Sequence, residues 1–344
     1  MQIFLQSFGT KLRAREGLLE VTTINDEEGI KKQQFPPHEV EGIWMEKQTS
    51  VTSDAIMLAT QNNVPIIIVN HFGFPVGRFI SSKATNTSLI QKNQIRASID
   101  QHGIGFVKKW LTEKLSRQSR LIGDLAKKRK GEDIQQLCKD CMDKLTEIME
   151  QIKVLEGNDV QEISGTLRGL EGTAGRMYWA TISQLLPENY RFETRSRRPA
   201  KDAFNAYLNY AYGVLYARVE LELYNAGLNP HIGFMHRDGH QYKGMIYDFI
   251  EPYREWMERV VFFLFSGKKV GKKQFKQEKN GGITIMNPGK KVLIYEINEF
   301  FRHRKEKFRG KICHPDYILR SRAKGFAQTL RQIYVPVMEK DEAL

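Results

Sequence analysis

The sequence predicts an α+β protein: a small β-rich N-terminal domain, residues 1–80, then a larger all-α domain, residues 89–344. Two observations carry this. Short β-branched and aromatic runs come first, and apolar side chains at three- and four-residue spacing take over afterwards. Between the two patterns stands SSKATNTS, residues 81–88, polar and poor in hydrophobes, which reads as a linker. A chain of 344 residues, 41% hydrophobic and 27% charged, has enough apolar mass for a real core in one large or two modest domains.

Within the first domain, QIFLQSF, LLEVTTI and PIIIVN are expected strands, separated by Gly, Asp and Asn. One helix interrupts them. Ser53 or Asp54 is expected to cap DAIMLATQNN, Pro65 opens the next strand, and HFGFPVGRF reads as a hairpin return. Beyond the linker, helical spacing recurs over residues 104–125, 134–155, 163–186, 203–226, 242–265 and 292–308, with a last helix over 316–334. The segment SGKKVGKKQFKQEKNGG, residues 266–282, holds five lysines between 268 and 276 and is bounded by glycines. It is expected as a mobile, solvated excursion.

The charge balance narrows the partners. Fifty-three Lys and Arg against forty Asp and Glu leave a net +13, which points to an acidic partner, and nucleic acid first. The longest apolar run, VVFFLF, has six residues against the roughly 18–20 of a membrane span, so no membrane partner is expected. The opening MQIFLQSFGT shows no signal-peptide pattern. Cys138 and Cys141 form a lone CxxC and Cys313 stands apart. Without a second pair, two free thiols on consecutive helical turns are expected rather than zinc, in a reducing, cytoplasmic setting.

Against this basic background one stretch stands out: GLNPHIGFMHRDGHQYKGMIYDFIEPYR, residues 227–254. It sets Asp248 and Glu251 among Ile246, Tyr247, Phe249, Ile250 and Tyr253, after His236 in a polar turn. On a continuous helix over 245–261 the two acids share one face. Carboxylates beside Phe and Ile are costly to desolvate and need a cation. Arg254, three residues past Glu251, supplies one as a plain ion pair; a metal is the other reading. A second acid, Glu171, lies in GTLRGLEGTAGRMYWA among small residues that lower helix propensity. These residues suggest close approach of another element to Glu171, either plain helix packing or a site. Glu, His and a carboxylate form a hard O/N/O donor set suited to Mg²⁺ or Mn²⁺, and in a basic protein the matching substrate is a phosphodiester. Without the metal the clustered ligand carboxylates are expected to repel each other. Arg191, Arg195, Arg197 and Arg198 crowd eight residues and suit phosphates. The tyrosines that follow, Tyr207, Tyr210, Tyr212 and Tyr216, serve either as core or as base-stacking platforms. In the last helix Arg320, Arg322, Lys324 and Arg331 are either a DNA face or a solvated one.

The ordered set of motifs resembles one family, the universal integrase of CRISPR adaptation. SDAIMLATQNNVPIIIVNHFGFPVGRF, LEGTAGRMYW, and RRPAKDAFNAYLNYAYGVLYARVELELYNAGLNPHIGFMH followed by YDFIEPYR carry the likeness across nearly the whole chain. Gly175 stands where the family commonly has Ala, and the lysine-rich segment is longer and more basic than the family pattern. The resemblance implies an endonuclease and integrase whose metal ligands are Glu171, His236 and Glu251, with Asp248 as a supporting acid. It implies attack of a DNA 3′-OH on a phosphodiester of the repeat array, with protospacer duplex as the inserted substrate. It also implies a homodimer formed through the N-terminal domain, and a heterohexamer with a small CRISPR-associated partner. The residues expected on DNA are Arg191, Arg195, Arg197, Arg198, Arg254, Arg320 and Lys324. Two other readings stay open: a stand-alone or transposon-borne nuclease or integrase of the same fold, and a non-catalytic DNA-binding scaffold.

Overall fold

Short strands and one helix make up the described part of the first 80 residues of the computed structural model, which describes residues 1–25, 29–70, 75–81, 87–127, 129–236 and 243–334. Two compact units result: Met1–Ala84 with Asn209–Leu221, and Thr85–Leu208 with Glu222–Leu344. Most of the linker expected at 81–88 lies outside the described residues.

The first unit holds β1 (Gln2–Leu5), β2 (Lys11–Arg15), β3 (Leu18–Asn25), β4 (Gly29–Phe35), β5 (Gly42–Met45), β6 (Ser50–Val51), helix α1 (Ser53–Gln61), β7 (Ile66–Val69) and β8 (Pro75–Phe79). They form two four-stranded sheets, ordered β1-β5-β7-β8 and β4-β3-β2-β6. In the first, β1, β5 and β7 run parallel and β8 returns antiparallel to β7. The turn of that return lies outside the described residues. Leu5, Leu12, Leu19, Ile43, Ala55 and Ile66 share one core. Sequence patterning found β1, β3 and β7 but not β2, β4, β5 or β6. The reason is visible for β4: an edge strand exposed along almost its whole length carries no alternation to read. The α1 cap also differs from expectation. Thr52 has the extended backbone an N-cap needs, and its hydroxyl accepts from Ala55 N at 3.3 Å; Ser53 is already helical.

The second unit is mostly helical. Its elements are α2 (Thr87–Ser98), α3 (Gln101–Ala126), α4 (Glu132–Val154), α5 (Val160–Leu185), α6 (Ala203–Asn225), α7 (Gly244–Phe249), α8 (Arg254–Ser266), β9 (Phe275–Gln277), β10 (Ile283–Ile285), α9 (Asn287–His303), β11 (Glu306–Phe308), β12 (Lys311–Cys313) and α10 (Pro315–Gln332). Asp100, Asp159 and Asp202 cap α3, α5 and α6 by accepting backbone N–H bonds. Helix α3 packs against α4, α5 and α8, and Trp110 on it joins Phe234, Phe249 and Phe326 in an aromatic cluster. Cys138 and Cys141 are free, buried thiols on α4, and burial pushes the Cys141 thiol up to about 11. Among the described residues no helix is long and apolar enough to cross a membrane.

Four expectations change here. The helix expected over 242–265 is broken into α7 and α8 by a 3-10 turn, Glu251–Tyr253, where Pro252 brings no amide to the ladder. The helix expected to reach 308 ends at His303, and residues 306–308 pair with β12 instead. The lysine-rich segment is an ordered structure rather than a loose excursion: after a short turn it enters β9, which pairs antiparallel with β10, and Val270 is buried. Helix α6, assigned to the second domain from sequence, contributes its middle, Asn209–Leu221, to the first unit. Ala217 lies in a core with Trp44, Ile67 and Val69, and the Tyr210 hydroxyl donates to Glu46 at 2.7 Å. Tyr207, Tyr210, Tyr212 and Tyr216 are all buried, so they are core, not stacking platforms.

Candidate active site

Asp248 and Glu251 do two different jobs. Asp248, in α7, is 2% exposed and gathers the preceding loop. Its Oδ2 accepts from Phe234 N at 2.5 Å and Met235 N at 3.0 Å; its Oδ1 accepts from His236 N at 3.2 Å. The same Oδ1 lies 2.6 Å from His236 Nδ1. An imidazole that donates Nδ1–H to a carboxylate keeps Nε2 as its free lone pair, the arrangement that prepares a histidine as a metal ligand. Burial alone would lower the His236 pKa, but the Asp248 hydrogen bond and charge, then Glu251 and Glu171, outweigh it and raise it. The loop reaches Asp248 because two glycines let backbone meet backbone. A Cβ on Gly244 would sit 2.1 Å from His236 O, and one on Gly233 would sit 2.6 Å from Gly244 C. Arg168 of α5 holds the loop from the other side, donating to Met235 O at 3.2 Å.

Glu251, in the turn after α7, is 3% exposed and faces cations. Arg254 Nε donates to its Oε1 at 2.9 Å, and Lys114 Nζ of α3 lies 2.6 Å from its Oε2. The same Lys114 Nζ donates to Glu171 Oε1 of α5 at 2.6 Å. One ammonium therefore bridges two carboxylates from different elements. Burial would raise the Glu251 pKa, yet Arg254 and Lys114 hold it down at about 2. Burial likewise works against the Lys114 charge, and Glu171 and Glu251 override it, raising Lys114 to about 12. The carboxylates expected to repel each other are thus neutralised by side chains of the chain itself.

The donor types suit a hard divalent ion, with two carboxylate oxygens and an oriented imidazole, and a cation already sits between the oxygens. Among the described residues, however, no three His, Cys, Asp or Glu side chains converge closely enough to hold an ion as they stand. Lys114 holds the two carboxylates, and a resident ion there requires its ammonium to withdraw. Sequence reasoning missed Lys114. The signal was present: it falls on the apolar stripe of α3, four residues after Trp110 and seven after Val107. A lysine on a core stripe needs a buried acid to meet it.

The remaining candidates separate by exposure. Arg254, expected on DNA, is 8% exposed and committed to Glu251, so it belongs inside the site. Arg195 is half-buried; it donates to Asn205 Oδ1 at 2.7 Å and Ser196 O at 2.5 Å, bracing its own loop. Arg191, Arg197, Arg198 and Lys324 are exposed, and Arg320, also exposed, lies 3.5 Å from Glu222. The glycines near Glu171 do not admit another helix: a Cβ on Gly175 would meet nothing within 4 Å, and one on Gly172 only Arg176 at 3.8 Å. They leave open space beside the acid instead.

Comparison with known proteins places the chain in a family. The family model for CRISPR associated protein Cas1 matches residues 3–299. A CRISPR-associated endonuclease Cas1 of Archaeoglobus fulgidus is 27% identical over 320 residues, 90% of this chain and 91% of that protein. Among solved structures, a casposase bound to integration product superposes with a TM-score of 0.82 at 22% identity, covering 96% of this chain and 90% of that one. A Cas6-RT-Cas1–Cas2 complex superposes with a TM-score of 0.74 at 19% identity, covering 96% of this chain and 35% of the longer one. A family match over most of the chain, on a strand-rich unit joined to a helical one, establishes that this protein belongs to the Cas1 family.

Proposed function

We propose that the protein is a divalent-metal-dependent DNA endonuclease and integrase that inserts spacer DNA into a CRISPR repeat array. The observation that carries this is the pair of carboxylates, Glu171 and Glu251, gathered on one cation beside an imidazole that Asp248 orients. Glu171, His236 and Glu251 would hold Mg²⁺ or Mn²⁺. Such an ion polarises a phosphoryl oxygen and lowers the pKa of an attacking hydroxyl. Asp248 fixes the imidazole and the loop that carries it. Arg254 keeps Glu251 ionised. Lys114, which bridges the two carboxylates, would have to yield its place between them to the ion and would remain as a cation at the edge of the site. The open face of α5 beside Glu171 gives a phosphodiester room to approach.

The partners follow from the same reading. Exposed Arg191, Arg197, Arg198 and Lys324 suit protospacer duplex and repeat DNA. Phe8, Ile30, Met57 and Val76 are each more than half exposed on the first unit, which supports a homodimer through that unit. A small CRISPR-associated partner of the Cas2 kind fits the Cas6-RT-Cas1–Cas2 complex of one structural neighbour, and we infer from the family resemblance that it bridges two dimers in a heterohexamer. The test joins a 3′-OH oligonucleotide to a supercoiled plasmid carrying a repeat array, with Mg²⁺, Mn²⁺ or chelator. Mn²⁺ binding is followed separately by electron paramagnetic resonance. Joining should require the metal, with Mn²⁺ at least as effective as Mg²⁺, and both joining and Mn²⁺ binding should be lost in Glu171→Ala. Joining that survives chelator or Glu171→Ala rules the reading out.

A further inference from the structure

The lysine-rich segment has no part in the site above, yet the fold fastens it to the arginine-rich loop. The Tyr190 hydroxyl donates to Val270 O at 2.7 Å, and Ile283 N at the start of β10 donates to Ala200 O at 2.8 Å. Gly282 lies against Pro199 so closely that a Cβ there would sit 2.8 Å from the proline ring. At the other end, Met286 N donates to Gln274 O at 2.8 Å, fixing the turn that carries Lys272 and Lys273. Residues 191–201 and 266–282 hold five and six Lys or Arg against one Glu each. Twenty-eight residues therefore carry a net nine of the chain's thirteen positive charges. Of these cations only Arg195 is half-buried; the others are exposed. Lys269 pairs with Glu296 and Lys276 with Glu278.

We propose that this hairpin and the loop it is fastened to form one ordered phosphate-binding platform for duplex DNA, with Lys272, Lys273 and Lys279 extending the surface of Arg197 and Arg198. Exposed ammonium groups keep their hydration and cost little until phosphates meet them. Each phosphate neutralised then releases condensed counterions. Anchoring at both ends, by Ala200 and by Gln274, holds the lysines as a surface rather than as a tail. The inference rests on DNA as the substrate and is independent of the metal site.

The experiment measures equilibrium binding of a fluorescent duplex by anisotropy from 50 to 400 mM salt. It compares the full chain with Lys272→Gln/Lys273→Gln/Lys279→Gln. A control set, Lys127→Gln/Lys130→Gln/Lys139→Gln, removes the same charge elsewhere. The hairpin variant should flatten the slope of log K against log salt by about 2 to 3, since each phosphate left without its lysine removes about 0.9. The control set should change it by less than about 1, and Mn²⁺ binding should be unchanged in both. An unchanged slope in the hairpin variant, or an equal loss in the control, overturns the platform. So does weaker binding to an RNA duplex with DNA binding intact. A wild-type chain with no salt-dependent DNA binding would instead overturn the proposed function.

Discussion

Two concentrations of charge in the molecule are treated in opposite ways. Around Glu251 the charges are buried or half-buried, matched one against another at 2.6–2.9 Å, and drawn from α3, α5, the turn before α8 and the start of α8. On the lysine hairpin and the arginine loop they are nearly all of one sign and, Arg195 apart, exposed. Buried charge is costly to desolvate and stays only when its partners are in place, so each member depends on the others. Exposed charge is screened and nearly additive, so members act one at a time. The first arrangement suits chemistry at a point, the second a long polyanion.

The sharpest way to break this contrast is to remove one buried acid. Glu251→Ala leaves Arg254 without the acid its Nε binds and Lys114 with Glu171 alone. Losing one side of a buried pair typically costs about 3–5 kcal/mol. The variant should unfold well below the wild type in denaturant and lose joining entirely. Adding Lys114→Met should recover part of the stability but none of the activity, because it removes a cation that has lost one of its two acids. If Glu251→Ala is as stable as the wild type, the site is neither as dry nor as matched as its distances imply.

Acid tests the same pair without mutation. Glu251 is held at about 2, below its ordinary 4.5. A depressed folded pKa contributes stability that is present above the unfolded value and lost as pH falls through the folded one. The window is therefore pH 4.5 down to about 2, and the full contribution is on the order of 3 kcal/mol. The stability gap between wild type and Glu251→Gln should be widest above pH 5 and should narrow steadily below 4.5. A gap that stays constant down to pH 3 would show that Glu251 is not held ionised by Lys114 and Arg254. The exposed lysine platform predicts no such acid limb.

Sequence patterning reached part of this. The acids, the histidine and the arginine cluster were legible because each breaks its local pattern: carboxylates among aromatics, a glutamate among glycines, four arginines in eight residues. What pairs with what was not legible, since Lys114 lies 57 residues before Glu171 and meets it only through α3–α5 packing. The division of labour between Asp248 and Glu251 was hidden for a local reason: Pro252 ends the helix that was expected to carry both on one face. The fold class came from the change of period. The edge strand β4 escaped because its residues are mostly polar and exposed, and the hairpin β9–β10 because strands of three residues are too short to show a period.

Asp248 sharpens the comparison most finely, because Asp248→Asn removes one charge with almost no change in volume, as Lys272→Gln does on the hairpin. The carboxylate accepts four hydrogen bonds: Phe234 N and Met235 N on one oxygen, His236 N and Nδ1 on the other. An asparagine accepts on one side only, since its amide nitrogen is a donor. It must surrender either the two loop amides or the imidazole. Keeping the amides leaves Nδ1 facing another donor, so the ring turns or changes tautomer and Nε2 loses its fixed lone pair. Loss of an outer partner of this kind typically costs about 10–100-fold in metal affinity or rate. Asp248→Asn should therefore join DNA about 10–100-fold more slowly and bind Mn²⁺ more weakly, while its salt slope on duplex DNA stays that of the wild type. Lys272→Gln should do the reverse, flattening the slope by about 0.9 and leaving the joining rate at saturating DNA unchanged. An Asp248→Asn protein that joins at the wild-type rate would show that the charge on Asp248 does not orient His236.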